Sequence, residues 1–206
     1  AVFPVHLYGH PANMPKIMEI AKKHNLYVIE DAAASIGAEV GGQKTGSFGH
    51  VAGFSFQGAK VLVTGEGGML VTNDRDLFSR VKLLGDHGRN PKYPLAAVEV
   101  GYKYKMSNIQ AALGLAQLER VVELISRKRE INRRYRELLS SNTGIKVSYE
   151  LSGYKSVHWM TSIELIGASF KERQKFMEVL RENKIDSRPV FSPMSSLPMF
   201  NRNASN

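Results

Sequence analysis

Apolar residues fall along this chain in short blocks that change period. Val2 to Leu7 reads as a short buried strand, and Pro11-Ala12-Asn13 breaks it. Met14, Ile17, Met18 and Ala21 then recur at three- and four-residue spacing to about Lys23, which predicts a helix. Leu26-Tyr27-Val28-Ile29 is a second apolar strand, closed by Glu30-Asp31. Strand, helix, strand at this spacing is a βαβ unit, so a parallel sheet is expected. Gly37 to Gly49 reads as hairpin or loop, with Gly41-Gly42 as a turn signal. Val51 to Phe56 and Met69 to Thr72 are further strands, separated by the glycine-rich stretch Gly58 to Gly68. Asn73 or Asp74 can cap a helix whose apolar face is Leu77, Phe78, Val81 and Leu84. Arg89 to Lys105, with Pro91 and Pro94, is irregular. Ser107-Asn108-Ile109-Gln110 has a capping-box pattern and opens a helical region to about Leu139, with at most one break. After Asn142-Thr143-Gly144 the texture changes. Ile145 to Tyr149 and Trp159 to Leu165 look like strands, Ser169 to Glu172 is a capping box before a helix to about Asn183, Ile185 to Arg188 reads as a last short strand, and Pro189 to Asn206 has no strong periodicity. The fold class is therefore α/β, with a mixed, mostly parallel sheet over residues 1–125 and a small α+β unit over residues 126–206.

Composition narrows the function classes. The chain has 206 residues, 43% hydrophobic and 23% charged, an ordinary globular balance that argues against bulk disorder. No apolar run approaches the roughly 18–20 residues needed to cross a bilayer, so no membrane partner is expected. Ala1 to His6 has no basic n-region, and no signal peptide is expected there. There are no cysteines, which excludes a disulfide framework, a thiolate metal site and a Cys nucleophile, and fits a cytoplasmic location. The net charge of +9 attracts polyanions, from nucleic acid to phosphorylated small molecules. Part of it is local: Arg120 to Glu137 holds seven basic and three acidic residues. That run reads as a solvated helix face rather than a nucleic-acid patch, because aromatics are not interleaved with it. The six histidines show no HxH or HExxH spacing, so no metal site is expected. Gly65-Glu66-Gly67-Gly68 is neither a Walker nor a Rossmann fingerprint, and Trp159 reads as core rather than as a stacking platform.

Three positions carry chemistry when taken together. Asp31 directly follows a buried strand, Lys60 lies just beyond the end of another in a glycine-rich loop, and Ser55 sits five residues before Lys60. Ligands of open α/β sheets bind at the carboxyl ends of strands. An acid, a lysine and a hydroxyl converging there suit pyridoxal phosphate: the lysine forms a Schiff base, the acid keeps the pyridine nitrogen protonated, and the hydroxyl with backbone N–H groups holds the phosphate. Each signal alone has a plainer reading, as a turn-forming Asp, a solvated loop Lys and an outward-facing strand Ser. Spacing alone leaves a soluble α/β protein.

The ordered motifs add a resemblance. Val5-His6-Leu7-Tyr8-Gly9, Glu30-Asp31-Ala32-Ala33, Gly46-Ser47-Phe48-Gly49, Phe54-Ser55-Phe56-Gln57-Gly58-Ala59-Lys60, Thr64-Gly65-Glu66-Gly67-Gly68 and Val71-Thr72-Asn73-Asp74 resemble the consecutive motifs of the DegT-type sugar aminotransferases, which are pyridoxal 5'-phosphate enzymes of fold type I. Gly101 to Ala112, Ser187-Arg188-Pro189 and Leu197-Pro198-Met199-Phe200 extend the likeness over nearly the whole chain. The resemblance implies that residues 1–125 are part of a large cofactor-binding domain and that Lys60 is the catalytic Schiff-base lysine, Asp31 the pyridinium partner and Ser55 the phosphate-binding serine. It further implies amino transfer from glutamate to a nucleotide-linked keto sugar, for surface polysaccharide, by a homodimer. The Thr64 to Gly68 motif and the Pro198-Met199-Phe200 ending look closest to the branch that aminates C4 of a 4-keto-6-deoxy sugar, as in perosamine synthesis.

The pattern has departures. Ala34 stands where the family has Gln, Glu or His near the cofactor ring. Lys103 stands where an Asn commonly reaches the phosphate of the neighbouring subunit, and a lysine there still offers that phosphate a positive charge. Pro193-Met194-Ser195 lacks a histidine on the substrate side. Family members are nearly twice as long, which implies a fragment or a truncated relative. The competing expectation is a non-catalytic relative that keeps the sheet and long helix as an oligomeric or partner-binding scaffold.

Overall fold

A computed structural model describes residues 1–90, 92–93 and 95–200 of the chain. Pro91 and Pro94 of the irregular stretch, and the last six residues of the aperiodic C-terminal segment, lie outside the described residues. The main sheet holds β1 (Ile29–Asp31), β4 (Val51–Ser55) and β5 (Gly68–Val71), in that order, with β2 (Glu39–Val40) and β3 (Gln43–Lys44) as a hairpin between β1 and β4. β1 and β4 are parallel, with Asp31 opposite Gly53, and β5 runs antiparallel to β4, so the sheet is mixed. The first apolar block differs from the expected continuous strand. Val2 and Val5 make only isolated parallel bridges, to Val28 and Asp31, and Leu7–Gly9 closes into one 3-10 turn. Pro4 explains the gap: it has no N–H for the ladder, although its carbonyl accepts from the Asp31 N–H at 2.9 Å.

Alternation along the strands gives the sheet two faces. On one, Val28, Glu30 and Ala52 are buried. The helix α1 (Met14–Lys23) covers this side through Met14 and Ala21, joined by Ile17, Met18, Leu26 and Phe48. Asn13 caps α1 by accepting from the Lys16 N–H, and Lys22 and Lys23 complement the dipole at its other end. The opposite face carries Phe3 and Leu70, both exposed.

A second core lies under the β2–β3 hairpin, whose turn residues Gly41 and Gly42 have φ of 56° and 84°. β7 (Tyr154–Lys155) pairs with the free edge of β2, a partner contributed from more than a hundred residues away that no local pattern announces. Ala38, Val61, Val157 and Trp159 are buried together, with Tyr8, Ala34, Ile36, Leu124 and Ile125 packed around them. Gly9 is closely packed against this core: its φ is 85°, and a Cβ there would lie 2.5 Å from Val157 Cγ2 and 2.9 Å from the Ala34 carbonyl oxygen. Gly9→Ala is therefore expected to cost about 2–4 kcal/mol, from overpacking plus a left-handed backbone. Urea denaturation measures it, and a loss under about 1 kcal/mol would show that the turn relaxes freely.

The expected helices are present. α2 (Arg75–Gly85) is capped by Asp74, which accepts from the Asp76 and Leu77 N–H groups. α3 (Asn108–Glu119) and α4 (Val121–Leu138) are the long helical region, interrupted once at Arg120. The Ser107–Gln110 capping box starts α3, and Gln110 Nε2 also donates to the Glu66 carbonyl at 2.8 Å, fixing the helix start to the Thr64–Gly68 loop. α3 is apolar on most sides, yet none of its residues is buried and Ile109, Leu115 and Leu118 are exposed. On α4 the basic run is laced with ion pairs one turn apart, Arg127 with Glu123, Arg133 with Glu130 and Glu137, and Arg134 with Glu130.

The chain divides into two compact units. One is Ala1–Leu138 with Tyr149–Thr161, and the other is Leu139–Ser148 with Ser162–Asn206. This differs from a division at residue 126. α4 stays with the first unit because Arg129 pairs with Glu150 and donates to the Ser156 carbonyl, drawing residues 149–161 back onto it. The second unit contains β6 (Ile145–Val147) antiparallel to β8 (Ile163–Leu165), and α5 (Phe170–Glu182) with its Ser169–Glu172 capping box. The strand expected from Trp159 starts only at Ile163, because His158 has φ of 46° and the Trp159 N–H bonds the Tyr8 carbonyl. Ile185 to Arg188 forms no strand: Lys184 turns left-handed at φ 62°, and Arg188 pairs with nearby Asp186. Among the described residues no helix is long and apolar enough to cross a membrane.

Candidate functional site

Glu30 and Asp31 are neighbours that face opposite ways. Glu30 is fully buried, and its carboxylate accepts four hydrogen bonds. Oε2 takes His6 Nε2–H at 2.9 Å and the Gly46 N–H at 2.7 Å; Oε1 takes the N–H groups of Phe48 at 2.8 Å and Gly49 at 2.6 Å. His6 Nδ1 accepts the Ala12 N–H at 3.1 Å, which places the ring proton on Nε2. Burial pushes the Glu30 carboxyl upward, but the His6 and backbone donors together outweigh it and hold the group below its ordinary value. One buried carboxylate thus fastens both the Gly46–Gly49 turn and the His6 segment to β1.

Asp31 projects to the other face. With Ser55 it supplies polar side chains to a cavity of about 350 Å³ whose walls include Phe3, Ile29, Ala33, Val51 and Leu70. The Asp31 Oδ1 accepts the Ala33 N–H at 3.0 Å. Gly53, directly opposite Asp31 in β4, has open space where a Cβ would stand, so the floor between Asp31 and Ser55 is bare backbone. Ser55 ends β4, and its Oγ accepts from the Gln57 N–H at 3.4 Å. The chain then turns tightly: Gln57 Oε1 accepts the Ala59 N–H, and the Lys60 N–H bonds the Gln57 carbonyl, both at 2.9 Å. This turn delivers Lys60, half-buried, with its Nζ 4.1 Å from the centre of the Trp159 ring. Burial lowers the lysine's pKa, and the Asp31 carboxylate partly opposes that shift.

Asp31 and Ser55 therefore share one sheet face, and Lys60 follows on the loop that leaves Ser55. Ala34 does not line the cavity; it packs in the Trp159 core, and Ala33 takes the place beside Asp31. Lys103 does not line the cavity; it is on a segment bridged to Asp86, with its amine donating to the Lys105 carbonyl at 2.9 Å. Three participants escaped the sequence reading. Glu30 and His6 could have been paired by strand alternation, since a carboxylate on the buried face requires a donor. Trp159 gives no local signal, because it approaches Lys60 from a hundred residues away.

The donor set fits pyridoxal phosphate. A carboxylate (Asp31) and a hydroxyl (Ser55) line one cavity, and an amine shifted toward neutrality (Lys60), which does not line that cavity, stands on the loop that follows and interacts electrostatically with Asp31. The DegT/DnrJ/EryC1/StrS aminotransferase family matches residues 1–206, and the chain belongs to it. The mixed sheet is thus part of the large domain of a pyridoxal-phosphate transferase fold. The chain is 43% identical over 202 residues to the GDP-perosamine synthase of Caulobacter vibrioides, covering 97% of this chain and 54% of that protein. It is 34% identical over 200 residues to the putative pyridoxal phosphate-dependent aminotransferase EpsN of Bacillus subtilis, covering 97% of this chain and 51% of that one. It superposes on Helicobacter pylori PseC, an aminotransferase involved in pseudoaminic acid biosynthesis, with a TM-score of 0.93 and 26% identity over 98% of this chain and 55% of that one. The chain spans about half the length of the relatives it matches.

Proposed function

We propose that this chain carries the catalytic lysine of a pyridoxal phosphate-dependent aminotransferase, one that moves the amino group of glutamate to the keto group of a nucleotide-linked deoxy sugar. The observation that supports this best is Asp31 and Ser55 on one open sheet face, with Lys60 on the loop between β4 and β5. The perosamine synthase likeness favours a GDP-linked 4-keto-6-deoxy sugar as acceptor. The exposed apolar residues of α3 suit a homodimer, and the enzyme would work in the cytoplasm.

When bound, the cofactor supplies an electrophilic aldehyde and a ring that accepts electrons from the donor carbon. Asp31 holds a proton at the ring nitrogen as a charged hydrogen-bond partner. Ser55 Oγ would bind the phosphate. Lys60 would supply the amine that joins the cofactor and, as a neutral amine, would hold and return a proton at the reacting carbon; its half-burial favours that neutral form. Lys103 offers positive charge to the phosphate of the neighbouring subunit, and Ala34 leaves apolar packing where a polar contact could stand.

Titration of the chain with pyridoxal phosphate followed by L-glutamate tests this reading. The expected result is saturable uptake of one equivalent per chain, then release of 2-oxoglutarate with conversion to the amine form of the cofactor. No saturable uptake by a stably dimeric chain would overturn it in favour of a scaffold. In the same titration Asp31→Asn is expected to weaken uptake roughly 10–100-fold, the worth of one charged hydrogen bond, without lowering thermal stability.

A further inference from the structure

We propose that Trp159 is a positioning residue for Lys60, its indole face holding the lysine's amine in place when that amine is not engaged with cofactor. The inference rests on the proposed function, because it gives Lys60 a resting site beside the cofactor floor. Three contacts fix the ring. Trp159 Nε1–H donates to the Ala59 carbonyl at 2.6 Å, one residue before Lys60. Tyr8 stacks on the indole at 5.8 Å and 21° between planes. The Trp159 backbone N–H bonds the Tyr8 carbonyl at 3.0 Å. Tyr8 itself has φ of 54°, a conformation non-glycine residues adopt at a cost, and that bend presents its ring to the indole.

The indole therefore holds Lys60 in two ways. Its N–H anchors the loop through Ala59, and its face carries the Lys60 ammonium 4.1 Å from the ring centre. A cation over a buried indole is attracted by the ring's negative face, and the attraction disappears when the amine loses its proton. The arrangement makes leaving the indole easiest for the neutral amine, the form that attacks an aldehyde.

Trp159 is the only tryptophan in the chain, so its emission reports on the contact directly. In the cofactor-free chain the emission is expected to change through the titration of Lys60, and Lys60→Met is expected to remove that step while leaving the change from tyrosine ionisation. Identical emission profiles for the two proteins would overturn the inference, and this arm leaves the tryptophan untouched. A second arm follows acetylation of Lys60 against pH by peptide mass. Trp159→Leu is expected to move the midpoint down by about half a unit to one unit, and Trp159→Phe, which keeps a π face, to restore most of that shift. A folded Trp159→Leu protein with an unmoved or raised midpoint would also overturn it. Neither arm uses pyridoxal phosphate. Uptake on Lys60 with no coupled titration defeats this inference alone; coupled titration with no uptake defeats the proposed function and, with it, the resting-site role.

Discussion

Lys60→Ala is expected to abolish the borohydride-stable pyridoxyl label that pyridoxal phosphate leaves on the chain. The reaction needs a neutral amine beside a site that holds the phosphate and the ring nitrogen. Lys60 is half-buried, shifted toward the neutral amine, and placed on the turn after Ser55. Peptide mass mapping should find the label at Lys60, with a drop of at least about 100-fold in the alanine variant and only background elsewhere. Lys60→Arg sharpens the test. Arginine keeps a cation that can lie over Trp159, so packing survives, but it cannot make the covalent bond and should be equally unlabelled. Label of undiminished stoichiometry in either variant would show that another lysine does the chemistry.

Glu30→Ala is expected to be the most destabilising single change on the main sheet. It strips acceptors from His6 and from the N–H groups of Gly46, Phe48 and Gly49, all at once and in a fully buried place. The loss should be about 4 kcal/mol, equivalent to a fall of about 10 °C in melting temperature for a chain of this size. Glu30→Gln should cost about half as much. Its single amide oxygen can serve two of the four donors, while its NH₂ confronts the others. The carboxyl is held below its ordinary value of 4.5, so its contribution to stability is complete above that pH and is lost as pH falls through the lower folded value. The glutamine variant should therefore lose part of the acid sensitivity of the wild-type chain. Parallel denaturation curves from pH 7 to pH 3 measure this, and equal pH slopes for both proteins would show that Glu30 is not ionised in the folded chain.

What the sequence disclosed was mostly local. α1 was visible as four apolar residues at helical spacing, and the starts of α3 and α5 as Ser-x-x-Gln and Ser-x-x-Glu, since capping boxes are complete within four residues. The positions of Asp31 and Ser55 at strand ends, and of Lys60 on the loop that follows, were legible because short apolar runs bounded by polar and glycine residues mark where strands stop. Non-local pairing was not legible. Nothing near Tyr154 indicates that it will extend the β2 hairpin, and nothing near Trp159 indicates that it will leave the expected strand to lie against Lys60. The first apolar block departs from a strand for a different reason: its apolar content suits one, but Pro4 lacks the donor that a ladder requires.

The back-to-back carboxylates of β1 make parity the critical property of that strand. Inserting or deleting one residue upstream of Glu30 within the paired stretch would exchange the two side chains, sending the fastening carboxylate into the open cavity and the cavity-lining one into the interior. Mooring of the turn and the polar lining of the cavity would be lost in a single step. Grafts or circular permutations through this segment must therefore change its length by even numbers, a tighter rule than any imposed on the loops that carry Lys60.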